Sequence, residues 1–90
     1  MAVTVKLPTQ LRDAAGGATA ASVEGATVGE ALDALYSEHG ELRERITEDG
    51  DLRRFVNVYV SGEDIRFQDG LETSIDDGAE VTILPAVAGG

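Results

Sequence analysis

Residues 80–90 read Glu-Val-Thr-Ile-Leu-Pro-Ala-Val-Ala-Gly-Gly. The first half alternates, with Val81 and Ile83 on one side and Thr82 and Leu84 on the other. That is the period of a strand. Beyond Pro85 the chain is almost free of side chains and stops at Gly89-Gly90. Glycine makes up 11 of the 90 residues. Two glycines therefore end such a chain by chance about once in seventy, so the pattern alone is not a motif. The rest of the chain decides how to read it.

Working outward, Val3, Val5 and Leu7 alternate with Thr4 and Lys6, a half-buried strand stopped at Pro8. Pro8 to Gly17 reads as a loop or short turn. Thr19 to Glu24 predicts a second short strand pairing with the first. ATVGEALDALYSEHG is the clearest helix: Thr27 is a good N-cap and Glu30 completes a capping box. Val28, Ala31, Leu32, Leu35 and Tyr36 form its apolar stripe. Gly40 fits the C-cap position, with His39 just before it. ELRERI adds a short second helical segment, and TEDGDLRR a polar loop. FVNVYV is a strand with Phe55, Asn57 and Tyr59 on one face and Val56, Val58 and Val60 on the other. Ser61-Gly62 turns the chain, and Ile65 to Phe67 forms a short return strand. Asp69-Gly70 and Asp77-Gly78 are turns bracketing LETSI, one helical turn.

The order is strand, strand, helix, strand, short strand, strand. This predicts an α+β protein with a mixed sheet packed on one main helix, the β-grasp or ubiquitin-like arrangement. In that fold the final strand sits centrally, beside the first and parallel to it. Residues 1–84 form the β-grasp domain and 85–90 a flexible tail leaving an anchored strand.

Composition narrows the function. Ninety residues make one small domain with one modest core. There is no cysteine, hence no disulfide, thiolate nucleophile or Cys-based zinc site. A cytoplasmic location fits. The net charge is −10, from 17 acidic and 7 basic residues. This argues against a nucleic-acid backbone as partner and favours a monomer that meets basic protein surfaces. Such a composition fits a GC-rich genome or a salt-adapted host. MAVTVKLPTQ has no charged n-region and no long apolar run, so no signal peptide is expected. No segment reaches the length of a membrane span.

Candidate chemistry inside the domain is thin. Glu48, Asp49 and Asp51 flank Gly50, but TEDGDL lacks the twelve-residue frame of a calcium loop. Glu63-Asp64 and Asp76-Asp77 read as solvated turns. His39 is the sole histidine, and a triad or zinc site cannot be assembled around it. Ser22, Ser37, Ser61 and Ser74 lie outside any G-x-S-x-G frame. GGATAASVEG lacks the lysine of a phosphate loop. Tyr36, Tyr59, Phe55 and Phe67 read most simply as core or sheet-face residues. No catalytic residue, metal or bound cofactor is expected, and the protein reads as no enzyme.

The tail remains. Six residues from Pro85 reach roughly 20 Å when extended. Val87, Ala88 and Gly89 make a thin strip able to thread a narrow channel, and Gly90 presents the carboxylate. Glycine admits backbone conformations closed to other residues. A carboxylate is inert until activated. Adenylation with ATP supplies a leaving group, which a sulfur nucleophile displaces to give a thiocarboxylate or an amine displaces to give an amide.

The opening VTVKLPTQLR, RRFVNVYVSGEDIRF and GLETSIDDGAEVTILPAVAGG resemble the ubiquitin-like sulfur carriers, the ThiS and MoaD group. The likeness is strongest to the actinobacterial carriers of cysteine biosynthesis. It spans most of the chain and is weakest around Gly16 to Ser22 and Thr47 to Leu52. The resemblance implies that Gly90 is adenylated by an E1-like adenylyltransferase/sulfurtransferase, which uses the ATP, and becomes a thiocarboxylate. Gly89 is its required neighbour. It implies an acceptor such as a cysteine synthase or a secondary-metabolite synthase, and a metal-dependent protease that releases the product. No nucleic-acid or membrane partner is implied. Pro85-Ala86 departs from the Pro-Pro of MoaD-type tails, which favours the cysteine-biosynthesis carriers. Two alternatives share the tail chemistry: a ubiquitin-like modifier conjugated through Gly90, and a MoaD-like small subunit of a sulfur-transfer synthase.

Overall fold

In the computed structural model, residues 2–49, 51–53 and 56–85 are described. The chain runs β1 (Ala2–Lys6), α1 (Thr9–Arg12), a 3-10 turn (Asp13–Ala15), β2 (Ala20–Glu24), α2 (Val28–Glu38) and α3 (Glu41–Ile46). It continues through β3 (Thr47–Glu48), β4 (Asp51–Leu52), β5 (Val56–Val60) and β6 (Glu63–Asp64). Two 3-10 turns, Ile65–Phe67 and Gly70–Glu72, then lead to β7 (Glu80–Pro85). The main sheet has the order β2-β1-β7-β5-β6. β7 is central: it runs parallel to β1, with Lys6 beside Thr82, and antiparallel to β5, with Asn57 beside Leu84. This is the β-grasp arrangement read from the sequence.

Alternation sets which face is buried. Val3, Val5, Val58, Val81 and Ile83 point to one side and are almost wholly inaccessible. α2 covers that side with Val28, Ala31, Leu32, Leu35 and Tyr36, the predicted stripe. Each such aliphatic side chain contributes about 1.5–3 kcal/mol by leaving water. The expected cap is present: the Glu30 N–H donates to Thr27 Oγ1 at 3.2 Å. The return bond of the box goes to a different donor, because the Ala26 N–H donates to Glu30 Oε1 at 2.8 Å. Just before it, a Cβ on Gly25 would stand 2.6 Å from the Ala31 nitrogen. The close crossing of β2 onto α2 therefore needs glycine.

LETSI ties this helix start to the sheet. The Val28 N–H donates to the Thr73 carbonyl and the Ile75 N–H to that of Ala26, each at 3.0 Å. The Ala2 N–H donates to Asp77 Oδ1 at 2.9 Å and the Gly78 N–H to the Ala2 carbonyl at 2.7 Å. These bonds bring the beginnings of β1 and β7 together, as a parallel pair requires.

Four expectations are corrected. The loop from Pro8 to Gly17 contains α1 and a 3-10 turn, because Leu11 and Ala15 recur at helical spacing and both are buried. Gly40 is not a left-handed cap: α2 ends at His39, and Gly40, at φ −57°, opens α3. Part of TEDGDLRR is the β3–β4 hairpin, pairing Thr47 with Leu52 and Glu48 with Asp51. Asp-Gly between short polar runs is a hairpin signal in its own right. The return strand is only Glu63–Asp64, and Ile65–Phe67 is a 3-10 turn. The turn before it holds as read: Ser61 at φ 51° and Gly62 at φ 87° make the left-handed pair that matches strand twist.

Candidate functional site

The expected site residues Val87, Ala88, Gly89 and Gly90 lie outside the described residues, as does Phe55. What the structure shows is the root from which they continue. β7 is hydrogen-bonded on both edges, and Val81 and Ile83 are 0% and 1% exposed. A strand held on both sides and plugged into the core is the hardest element to displace. Its open-face residues are Glu80, Thr82 and Leu84.

Around that root the open face is mixed. Lys6, the sole lysine, pairs with Glu80 at 3.3 Å, both about half exposed. Such a pair contributes little to stability. Tyr59 stands beside Thr82, and Asn57 beside Leu84. Between α1 and the ends of β1 and β7 lies an open groove of about 750 Å³, lined among others by Lys6, Pro8, Arg12, Thr82 and Leu84. Arg12 is held there, its Nε donating to the Leu7 carbonyl at 3.2 Å. Lined by aliphatic, threonine and glutamine side chains and two cations, the groove holds no histidine or carboxylate among its described residues to act as a base.

The other side chains weighed from the sequence are scattered. His39 ends α2, its N–H donating to the Leu35 carbonyl at 2.9 Å. Among the described residues, no group of three or more His, Asp or Glu side chains is placed to hold a metal ion. Tyr36 is core, as read, with Arg43 over its ring at 5.1 Å. Burial, and then Asp33, push its hydroxyl well above the ordinary tyrosine range, outweighing Arg43. It stays protonated at neutral pH and is no general base. No described helix is long and apolar enough to cross a membrane.

Phe67 overturns its reading as a core or sheet-face residue: it is 89% exposed. A strand would put Phe67 on the same side as Ile65, two residues back. In a 3-10 turn, with three residues per turn, Ile65 points inward and is wholly buried while Phe67 points out. The signal was Asp64, whose Oδ1 accepts from the Arg66 N–H at 2.8 Å. An aspartate two residues before such a donor starts a turn and ends a strand.

Against known proteins, the ThiS family matches residues 5–90. The chain belongs to the ThiS family. The sulfur carrier protein CysO of Mycobacterium tuberculosis is 48% identical to it, with both chains covered completely. Small archaeal modifier protein 3 of Haloferax volcanii is 43% identical over 72% of this chain and 71% of its own. Among solved structures, a chain of the Amycolatopsis orientalis BexX/CysO complex is 49% identical and superposes with a TM-score of 0.92. That match covers 98% of this chain and 99% of the other. The ThiS-family and CysO resemblance is thus borne out, fold included.

Proposed function

We propose that this ThiS-family chain is a sulfur carrier and that its working group is the Gly90 carboxylate. The observation that carries the reading is end-to-end similarity to sulfur carrier proteins, with Gly-Gly closing the sequence. In the proposed cycle the carboxylate attacks the α-phosphorus of ATP on an activating enzyme, and pyrophosphate leaves. A hydrosulfide equivalent then displaces AMP, leaving a thiocarboxylate. On an acceptor enzyme the thiocarboxylate sulfur bonds to an electrophilic carbon of the substrate for cysteine or secondary-metabolite biosynthesis. Water then cleaves the acyl bond to the carrier, which releases the product and regenerates the carboxylate. The chain supplies no acid, base or nucleophile besides its terminus: it is the substrate. β7 supplies a rigid root, and Val87, Ala88 and Gly89 a strip slim enough to enter another protein. The solved BexX/CysO complex of the Amycolatopsis relative supports a protein partner for the carrier.

A protein-modifier role is the second reading, favoured by the similarity to small archaeal modifier protein 3. Its chemistry diverges only when an amine, rather than sulfur, displaces AMP.

The test is intact-mass analysis after incubation with candidate activating enzymes, ATP and a sulfur donor. The expected result is one oxygen-to-sulfur replacement at Gly90, lost on deletion of Gly90 with the thermal melt unchanged. No replacement with any of several activating enzymes refutes the carrier role. Lysines of other proteins joined by an isopeptide bond to residues 67–90, the tryptic remnant left after Arg66, without thiocarboxylate, establish the modifier instead.

A further inference from the structure

Phe67 is the most exposed large apolar side chain among the described residues, and the turn that carries it is firmly held. Ile65 roots its turn in the core, and Asp64 caps it. Arg66 locks it to the sheet: its guanidinium donates to Asn57 Oδ1 at 2.5 Å and to the carbonyls of Val56 and Arg53 at 2.7 and 3.3 Å. On the far side of Phe67, Gln68 Nε2 donates to Glu63 Oε2 at 2.6 Å. A ring left in water gains nothing from burial on folding. The turn that carries it is preorganised for a partner, which reduces the ordering cost of binding.

The register places it. Asn57 stands beside Leu84, and Val56 beside Pro85. Arg66 bonds to Asn57 and Val56, so it lies level with the last residues of β7. Phe67 is its neighbour in the chain. The ring therefore stands at the end of the sheet from which the tail continues, roughly two strand spacings, about 10 Å, to the side. Leu84, 44% exposed, stands at the root itself. Residues 63–72 carry four acidic side chains, Glu63, Asp64, Asp69 and Glu72, against one base, Arg66, whose charge is turned inward onto the sheet.

Resting on the carrier reading, we infer that Phe67 is the anchor by which an enzyme acting on the tail seats this protein. The ring enters an apolar pocket beside the opening that admits Ala86–Gly90, and that pocket is rimmed by arginine or lysine to match the acidic flank. Arg66 is a positioning residue that holds the ring in place.

The test uses the full chain and whichever activating enzyme produces thiocarboxylate on the wild-type protein. ATP–pyrophosphate exchange is measured against carrier concentration. Phe67→Ala is expected to raise the KM for the carrier about tenfold or more with kcat little changed. Phe67→Tyr should restore most of it, and all three chains should melt alike. Wild-type KM should also rise as salt is raised from about 0.05 to about 0.5 M. A KM for Phe67→Ala within about twofold of wild type overturns the anchor while leaving the carrier reading intact. A wild-type dimer that Phe67→Ala dissolves, seen by sedimentation, reassigns the ring to self-association and likewise overturns it. Failure of the wild-type chain with every activating enzyme refutes the carrier reading, and the anchor falls with it.

Discussion

Two short segments look alike in the sequence and behave oppositely in the fold. EVTI, at Glu80–Ile83, and DIRF, at Asp64–Phe67, both alternate polar and apolar residues. The first is a central strand in which alternation holds: Val81 and Ile83 go in, Thr82 and Leu84 out. The second leaves the sheet after one residue and turns, so Ile65 is buried and Phe67 is not. The difference lies in the neighbours. β7 is bonded to β1 through Glu80–Thr82 and to β5 through Val81–Pro85, whereas β6 pairs only with β5, through two residues. An edge strand with one partner loses its period as soon as a local turn competes for its backbone, and Asp64 supplies that competition.

The sharpest way to break this contrast is to truncate both apolar side chains of the turn. Ile65→Ala should cost about 2–5 kcal/mol in urea unfolding, as Ile83→Ala in β7 should, while Phe67→Ala should stay within about 0.5 kcal/mol. Equal losses at Ile65 and Phe67 would restore the strand reading. Next in size, Arg66→Ala should cost about 1–2 kcal/mol, because the Val56 carbonyl and Asn57 lose a charged donor. It should raise hydrogen exchange in residues 65–68 but not in β7. If β7 loosens equally, the two segments are one cooperative unit and the contrast fails.

A small effect at neutral pH also belongs to Tyr36, a control outside both segments. Its hydroxyl is buried without a partner among the described residues, so Tyr36→Phe should change stability by less than about 1 kcal/mol. Its folded pKa is raised above the unfolded value of about 10, so the neutral phenol favours the folded state only while it remains protonated. Stability should therefore fall as pH rises above about 10, and Tyr36→Phe should flatten that fall. An unchanged alkaline slope in a denaturation series would show that another group sets it.

Much of the fold was legible because its signals are local and repeated. Thr27 and Glu30 mark the start of α2, and the apolar stripe from Val28 to Tyr36 marks its buried face. Ser61-Gly62 turns β5 back. The weaker elements were hidden for particular reasons. α1 has only four residues, and its burial depends on Leu11 and Ala15 meeting a core built from the rest of the chain. Gly40 looks like a cap in isolation, but α3 follows at once and keeps it right-handed. The site was legible in a different sense. Its proposed residues, Val87 to Gly90, lie outside the described residues and rest on elimination and family resemblance, not on any side-chain constellation.

By itself the sequence determined the strand and helix periods, the cap, the acidic character and the glycine ending. Each depends on residues within a few positions of one another or on a simple count. Only the tertiary structure decided that the tail continues from a strand bonded on both edges, that Arg66 reaches across to the row of Leu84, and that Phe67 faces water. Those facts depend on which distant segments pair: β1 with β7, β7 with β5. Whether an apolar residue is core or surface is settled by what the rest of the chain leaves uncovered.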